Sequence, residues 1–443
     1  MNAPLNPSFE VAATFRHDPR PRSAVSTMTG VVGLLGLIAW SAVARGYGMV
    51  GPLAALTAAI ACGVPMVLWS LLVDKVHRNP STGIDWDSPP RPFSESLDIS
   101  LAKIAGLWGI WAAIAGFYCV GRWYWSGQYL FSMYVLGIAI VPMLVLSVPY
   151  VLWIDRRLRE PRDGAWHFGQ WLIGHGERAD RQELHHFFRA WAVKGFFLAF
   201  MIAIVPGNWV EAIRPTSDWI TASPVNFANW LIASMFMIDV TFATVGYVLT
   251  LKPLDAHIRT ANPYAASWTA ALICYPPFVL MTNGGPLDYH PGIGDWTAWL
   301  YSYPLVSALF GAWLVFLTGV YAWATVAFGP RFSNLTNRGI LTNGPYAWSK
   351  HPAYLSKNLF WWFAMLPFLA ASGSALDAIR NTAILAMVSG VYYWRARTEE
   401  RHLSSDPAYI EYAGWMERNG PIPRLINWLK PRSSSSAAPV AAE

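Results

Sequence analysis

Apolar stretches long enough to cross a bilayer recur along almost the whole chain. A spanning helix needs about 20 mainly apolar residues. Ten stretches qualify: 28–44, 49–73, 101–120, 131–153, 190–207, 227–250, 264–282, 299–328, 353–372 and 378–396. Lipid offers the backbone no hydrogen-bond partners, so such segments must be helical. The expected fold is therefore all-α, a polytopic transmembrane helical bundle of about ten spans. Charged residues make up only 13% of the 443, where soluble domains carry about 25%. Disordered, collagen-like and disulfide-scaffold architectures are excluded, and a soluble globular enzyme nearly so. Pro276-Pro277 should kink the seventh span. Twenty-seven mostly polar residues with no small-residue cleavage site precede the first span, which reads as an anchor rather than a removed signal peptide.

The cations give the orientation. With ten spans both termini share a side, and 24 of the 32 Lys and Arg residues fall in the tails and loops of that side against 4 on the other. Both termini are expected in the cytoplasm. This asymmetry accounts for the basic pI without nucleic acid. Loop 154–189 reads as an Arg-rich, partly amphipathic stretch lying on anionic headgroups, which makes membrane lipid a partner. Segment 283–297 is expected outside, and 431–443 as a disordered tail. Arg outnumbers Lys 25 to 7. This usage, with abundant Ala and Trp, points to a bacterial inner membrane.

Cys62, Cys119 and Cys274 lie in apolar stretches, form no CxxC pair and read as small buried hydrophobes. Lys103, Lys194 and Lys357 are near enough to span ends to snorkel. Asp239 is central in the sixth span and either pairs with a lysine or lines a path through the membrane. His185-His186 lacks further ligands at metal-site spacing and reads as interfacial, so no metal is expected. Walker, HExxH and GxSxG motifs are absent from the sequence, and no GxGxxG follows a strand.

The last hundred residues carry the chemistry. Asn343-Gly344-Pro345 makes a turn before Tyr346. Pro352 favours the first helical position, which starts the ninth span there with His351 just outside. The free N–H groups of that helix end suit an anion. The tenth span leaves the membrane as Tyr393-Trp394-Arg395-Ala396-Arg397-Thr398-Glu399-Glu400-Arg401-His402-Leu403. Arg395 and Glu399, four apart, share a helix face. The charge count puts both helix ends on the cytoplasmic side, where they can build one pocket.

Gly-Pro-Tyr, then Lys-His-Pro-x-Tyr, then Arg-x-x-x-Glu-Glu-x-x-Leu, then Tyr409 and Tyr412, together resemble the isoprenylcysteine carboxyl methyltransferase and phospholipid methyltransferase superfamily over about residues 330–415. Lys350 stands where the family pattern has Arg, and Ser356 where it has Gly. The resemblance implies S-adenosylmethionine as methyl donor. It implies that Arg338, Gly339, Ile340, Leu341 and Tyr346 wrap that cofactor, that His351, Pro352, Ala353 and Tyr354 line the same pocket, that Glu399 holds the cofactor and that Arg395 faces the acceptor. Arg395 and His351 are the catalytic candidates. Methyl transfer from a sulfonium mainly requires alignment and exclusion of water, worth about 7–11 kcal/mol of barrier. A carboxylate acceptor needs no base. An amine acceptor does, with His351 or Glu400 available.

The expected organisation is a cytoplasmic tail 1–27, a membrane region 28–298 of unassigned function, a methyltransferase-like membrane domain 299–430 and the tail 431–443. The expected substrate is a lipophilic small molecule or lipid-modified species, such as an isoprenylcysteine-type carboxylate or a lipid head group. Two rival readings stay open at this point. One is a polytopic transporter or lipid-binding protein, which Asp239 and the eight spans before the motif would suit. The other is an NADPH-dependent membrane reductase.

Overall fold

The computed structural model describes residues 19–421 and 423–425. Residues 1–18 of the expected N-terminal tail and the expected tail 431–443 lie outside the described residues. The described residues form fourteen α-helices: α1 (Thr27–Gly46), α2 (Pro52–Leu72), α3 (Phe93–Val120), α4 (Tyr129–Asp155), α5 (Gly164–Leu172), α6 (Arg181–Ile213), α7 (Ser217–Thr221), α8 (Pro224–Val248), α9 (Ala265–Leu272), α10 (Trp296–Leu300), α11 (Pro304–Phe328), α12 (Pro352–Met365), α13 (Ala375–Leu403) and α14 (Pro407–Asn419). The one sheet among the described residues is an antiparallel pair, β1 (Thr260–Ala261) and β2 (Thr336–Asn337), with Thr260 opposite Asn337. The all-α membrane bundle is as expected.

Seven helices are long and apolar enough to cross a membrane: α1, α2, α3, α4, α6, α8 and α11. Three of the ten expected spans differ. Residues 264–282 hold only the eight-residue α9 followed by turns, because Pro276-Pro277 cannot continue a helix. The 14 residues of α12 reach about 21 Å, short of a hydrocarbon core of about 30 Å. The 29-residue α13 is long enough, but its acidic and basic residues lower its mean hydropathy. These three segments nevertheless run between the two ends of the bundle. Ile293 bridges Ala370 at one end, and β1 pairs with β2 at the other.

Helix α8 is the most buried of the seven. Its inner half packs Val240, Phe242 and Val245 against α2 and α6 residues such as Cys62, Met66 and Trp209. Small residues allow the closest approach, between α3 and α5. A Cβ on Gly106 would lie 1.9 Å from the Ala165 carbonyl oxygen, which is why glycine stands there.

Buried charges are answered inside the protein. Lys103 does not snorkel. It is 5% exposed, and its Nζ lies 2.6 Å from Asp155 Oδ1 and 3.1 Å from Asp163 Oδ2. Lys194 donates to Thr250 Oγ1 and lies over the Trp191 ring. Asp239 accepts hydrogen bonds from Tyr321 Oη at 2.8 Å and from Thr325 Oγ1. Lys357 Nζ in turn donates to Tyr321 Oη at 3.5 Å. Of the two arrangements open for Asp239, this is the lysine pairing, made through a tyrosine hydroxyl that ties α8, α11 and α12 together.

Replacing Lys103 with Met leaves the fully buried Asp155 with only Ser100 as partner. This should cost about 3–5 kcal/mol, whereas the double variant Lys103→Met/Asp155→Leu should recover most of that loss. Thermal unfolding in detergent checks both. A double variant no more stable than the single one would contradict the assignment.

Candidate active site

Four chain segments meet at one end of the bundle: the β1–α9 connection, the loop from α11 to α12, the last turns of α13, and α14. The α11–α12 loop is held from behind by one arginine. Arg338 is 3% exposed, and its guanidinium donates to five backbone carbonyls, those of Ala256, Gly246, Phe332, Leu249 and Pro330. Gly246 and Leu249 belong to the C-terminal end of α8, where the carbonyls have no helical partner. The Arg338 side chain is therefore committed to the scaffold, and what this residue offers a ligand is its backbone. Its neighbour Gly339 has φ +110°, and a Cβ there would meet Arg331 Nη1 at 2.6 Å and Ala24 Cβ at 2.7 Å. Ala24 N donates to Ile340 O at 2.8 Å, and Asn343 Nδ2 to Val25 O at 3.0 Å. The segment before α1 thus straps the loop.

The loop and the α13–α14 corner enclose an open cleft. Gly339, Ile340, Leu341, Tyr346, His351 and Glu399 all line it. Ile340 packs with Tyr409, Tyr412 and Trp415. Leu341 and Tyr346 pack with Val25 and Ala327, with Ala353 against them. The Tyr346 carbonyl accepts from Tyr412 Oη at 2.8 Å. Pro352 begins α12 with His351 as its cap, as expected.

His351 and the acidic pair on α13 come together. His351 Nε2 lies 3.1 Å from Glu400 Oε1, and its ring stacks 5.7 Å from that of Tyr354. Tyr354 Oη donates to Glu399 Oε2 at 3.0 Å. Lys350 and Arg397 also reach Glu400, at 3.1 and 2.8 Å. These donors, His351 foremost, hold the Glu400 carboxyl down at about 2, from an ordinary 4.5. Glu399, in contrast, has no cation within 4 Å among the described residues. Tyr409 is 5% exposed. Its hydroxyl and that of Thr336 are buried in the cleft wall without a partner.

Arg395 points elsewhere. It shares a helix face with Glu399 but the two do not pair. Arg395 Nη2 donates to Asn334 Oδ1 at 3.2 Å, and the guanidinium lies over Tyr275, Tyr354 and Tyr392 at 5.6, 5.2 and 5.2 Å. It lines a second, smaller chamber, also bounded by Asn262, Ser267, Asn334, Tyr354 and Glu399. Glu399, Ser333 and Thr336 belong to both cavities. The expectations did not include Asn262, Ser267, Ser333, Asn334, Thr336 or Thr398. No local spacing marks them, because they are polar residues scattered over loops, α9, β2 and α13 that only the fold brings together. The site also draws on residues before 299, the expected domain boundary.

A family model described as a protein of unknown function (DUF1295) matches residues 298–415, from within α10 to within α14. No curated protein and no solved structure matches the chain.

Two outcomes follow. Arg338→Met should destabilise the fold by more than about 3 kcal/mol, since bonds to a charged donor are worth about 1.5–3 kcal/mol each. A variant of unchanged melting temperature would contradict the scaffold role. The lowered Glu400 carboxyl binds fewer protons folded than unfolded. Its stabilisation is complete above pH 4.5 and is lost as pH falls toward about 2. Glu400→Gln should flatten that part of the stability–pH curve, and an unaltered curve would contradict the pairing.

Proposed function

We propose that this chain is a membrane methyltransferase that takes its methyl group from S-adenosylmethionine and delivers it to a carboxylate on an amphiphilic acceptor. The observation that carries this reading is Glu399, a carboxylate at the junction of two cavities with no cationic partner. A part-buried carboxylate that accepts only a tyrosine hydroxyl is open to a cationic ligand. The sulfonium donor is cationic, whereas a phosphate-bearing dinucleotide would be repelled by the same group. The unpartnered hydroxyls of Tyr409 and Thr336 supply hydrogen-bonding capacity that a polar ligand would use.

The residues present fit such a donor. Glu399 would balance its positive charge, with Tyr354 fixing the carboxylate. The backbone of Arg338 to Leu341 and the Tyr346 wall would enclose it, and Tyr409 and Thr336 would bond its polar groups. When bound, the donor supplies an electrophilic methyl group, whose transfer to a carboxylate oxygen forms one C–O bond, breaks one C–S bond, leaves the electron pair on sulfur and moves no proton. Arg395 holds the acceptor carboxylate in the adjoining chamber, where its planar fork can bind both oxygens. A general base is not needed. This agrees with Glu400, whose two cationic neighbours and low pKa make it a poor proton acceptor at neutral pH. His351 acts here as a positioning residue, holding Glu400 on one side and stacking on Tyr354 on the other.

Titration of the purified protein with S-adenosylmethionine tests the reading. Saturable binding is expected, weakened at least tenfold in Glu399→Gln, a variant that keeps the size of the side chain and its bond from Tyr354. Absence of saturable binding at millimolar donor, or displacement of the donor by NADPH, would overturn it.

A further inference from the structure

The second chamber is more polar than a pocket for hydrocarbon. Among its lining residues only Ala271 and Leu335 are aliphatic, and the rest carry hydroxyl, amide, imidazole or charged groups. The lining is also rich in unused donors. Arg395 is 6% exposed and gives one hydrogen bond, to Asn334. No carboxylate lies within 4 Å of it among the described residues, so its other N–H groups need an acceptor. Thr336 Oγ1 is buried without a partner. Asn262 spends its Oδ1 on Tyr264 N at 3.0 Å, which leaves Nδ2 without a protein acceptor. The Ser267 hydroxyl reaches only the Thr398 carbonyl, at the outer limit of 3.5 Å. Asn262 and Ser267 come from the β1–α9 segment, outside the stretch matched by the family model.

We propose that Asn262 and Ser267, with Thr336, determine acceptor specificity by binding a second hydrogen-bond acceptor that lies within a few bonds of the carboxylate held by Arg395. The ligand class is an amphiphilic acid whose head carries a carboxylate and a neighbouring carbonyl, as in an N-acyl amino acid. The chamber takes the head alone, since its polar walls would lose hydration to an alkyl chain without gaining bonds. This inference rests on the methyl-transfer reading for its biological meaning, but the selectivity of the chamber is a property of the chain by itself.

The test is equilibrium binding of defined probes to the full-length protein in detergent, without methyl donor. N-dodecanoylglycine is expected to bind at least tenfold more tightly than tetradecanoate, which has the same carboxylate and a similar length but no amide. The double variant Asn262→Ala/Ser267→Val should abolish that preference while leaving S-adenosylmethionine affinity unchanged, since neither residue lines the donor cleft. Asn262→Asp keeps the bond from Tyr264 N and places a negative charge in the chamber. It should weaken both probes, which covers the case in which the double variant fails to fold. Equal affinity of the two probes, a preference that survives in the folded double variant, or undiminished binding of both probes by Asn262→Asp overturns the proposal. If the preference is present and residue-dependent while the wild-type protein binds no S-adenosylmethionine, the chamber stands and the methyl-transfer reading falls.

Discussion

Two opposite charges one helical turn apart, Arg395 and Glu399, decline to pair, and the site is organised around that refusal. An arginine and a glutamate at this spacing can bond along a helix, though arginine first is the weaker order. Here the guanidinium is drawn to one side by Asn334 and three tyrosine faces. The carboxylate is drawn to the other by Tyr354. Arg395 then faces one cavity, and Glu399 stands in the wall that this cavity shares with the other. Elsewhere in the molecule the rule is the reverse: Lys103, Asp155 and Asp239 are each answered by protein groups, as a low-dielectric interior demands. Charges left open against that background are the best physical markers of a ligand site.

Holding the two groups apart requires rigid surroundings, and much of that rigidity comes from outside the matched stretch. Asn334, which anchors Arg395, is itself bonded by its backbone N–H and its side chain to Tyr247 Oη on α8. Arg338 gathers the last carbonyls of α8 and the turn after it. Asp255, on the same turn, accepts from Arg331, Asn79 and Ser81. The segment before α1 closes the back of the α11–α12 loop. The end of α8, the α2–α3 connection and the segment before α1 are thus structural partners of the site, which gives a role to residues that carry no motif of their own.

Much of this was legible in the sequence, and what was not has physical causes. Long apolar runs report helices directly, so the seven principal spans were foreseeable. Three of the ten fall short of long apolar helices, where length and apolarity compete with Pro276-Pro277, with the shortness of α12 and with the charges on α13. The convergence of His351, Tyr354 and Glu399 followed from two motifs at helix ends on one side. Side-chain commitment did not follow from any motif. Arg338 sits in the expected cofactor loop yet faces five carbonyls, and Glu400, though weighed as a base, is locked by Lys350, His351 and Arg397. Lys103 and Lys357 were close enough to helix ends to snorkel, but their acidic or hydroxyl partners come from other helices. The chamber residues Asn262, Ser267 and Asn334 are single polar residues whose meaning arises only when the β1–β2 pairing brings distant loops together.

The most direct measurement is to incubate membranes containing this protein with S-adenosylmethionine labelled in its methyl group and to identify the labelled product by mass spectrometry. The account predicts an amphiphilic methyl ester that releases labelled methanol in mild base and is absent from membranes carrying Arg395→Met. Label appearing only in base-stable products, or equally with and without the protein, would contradict it.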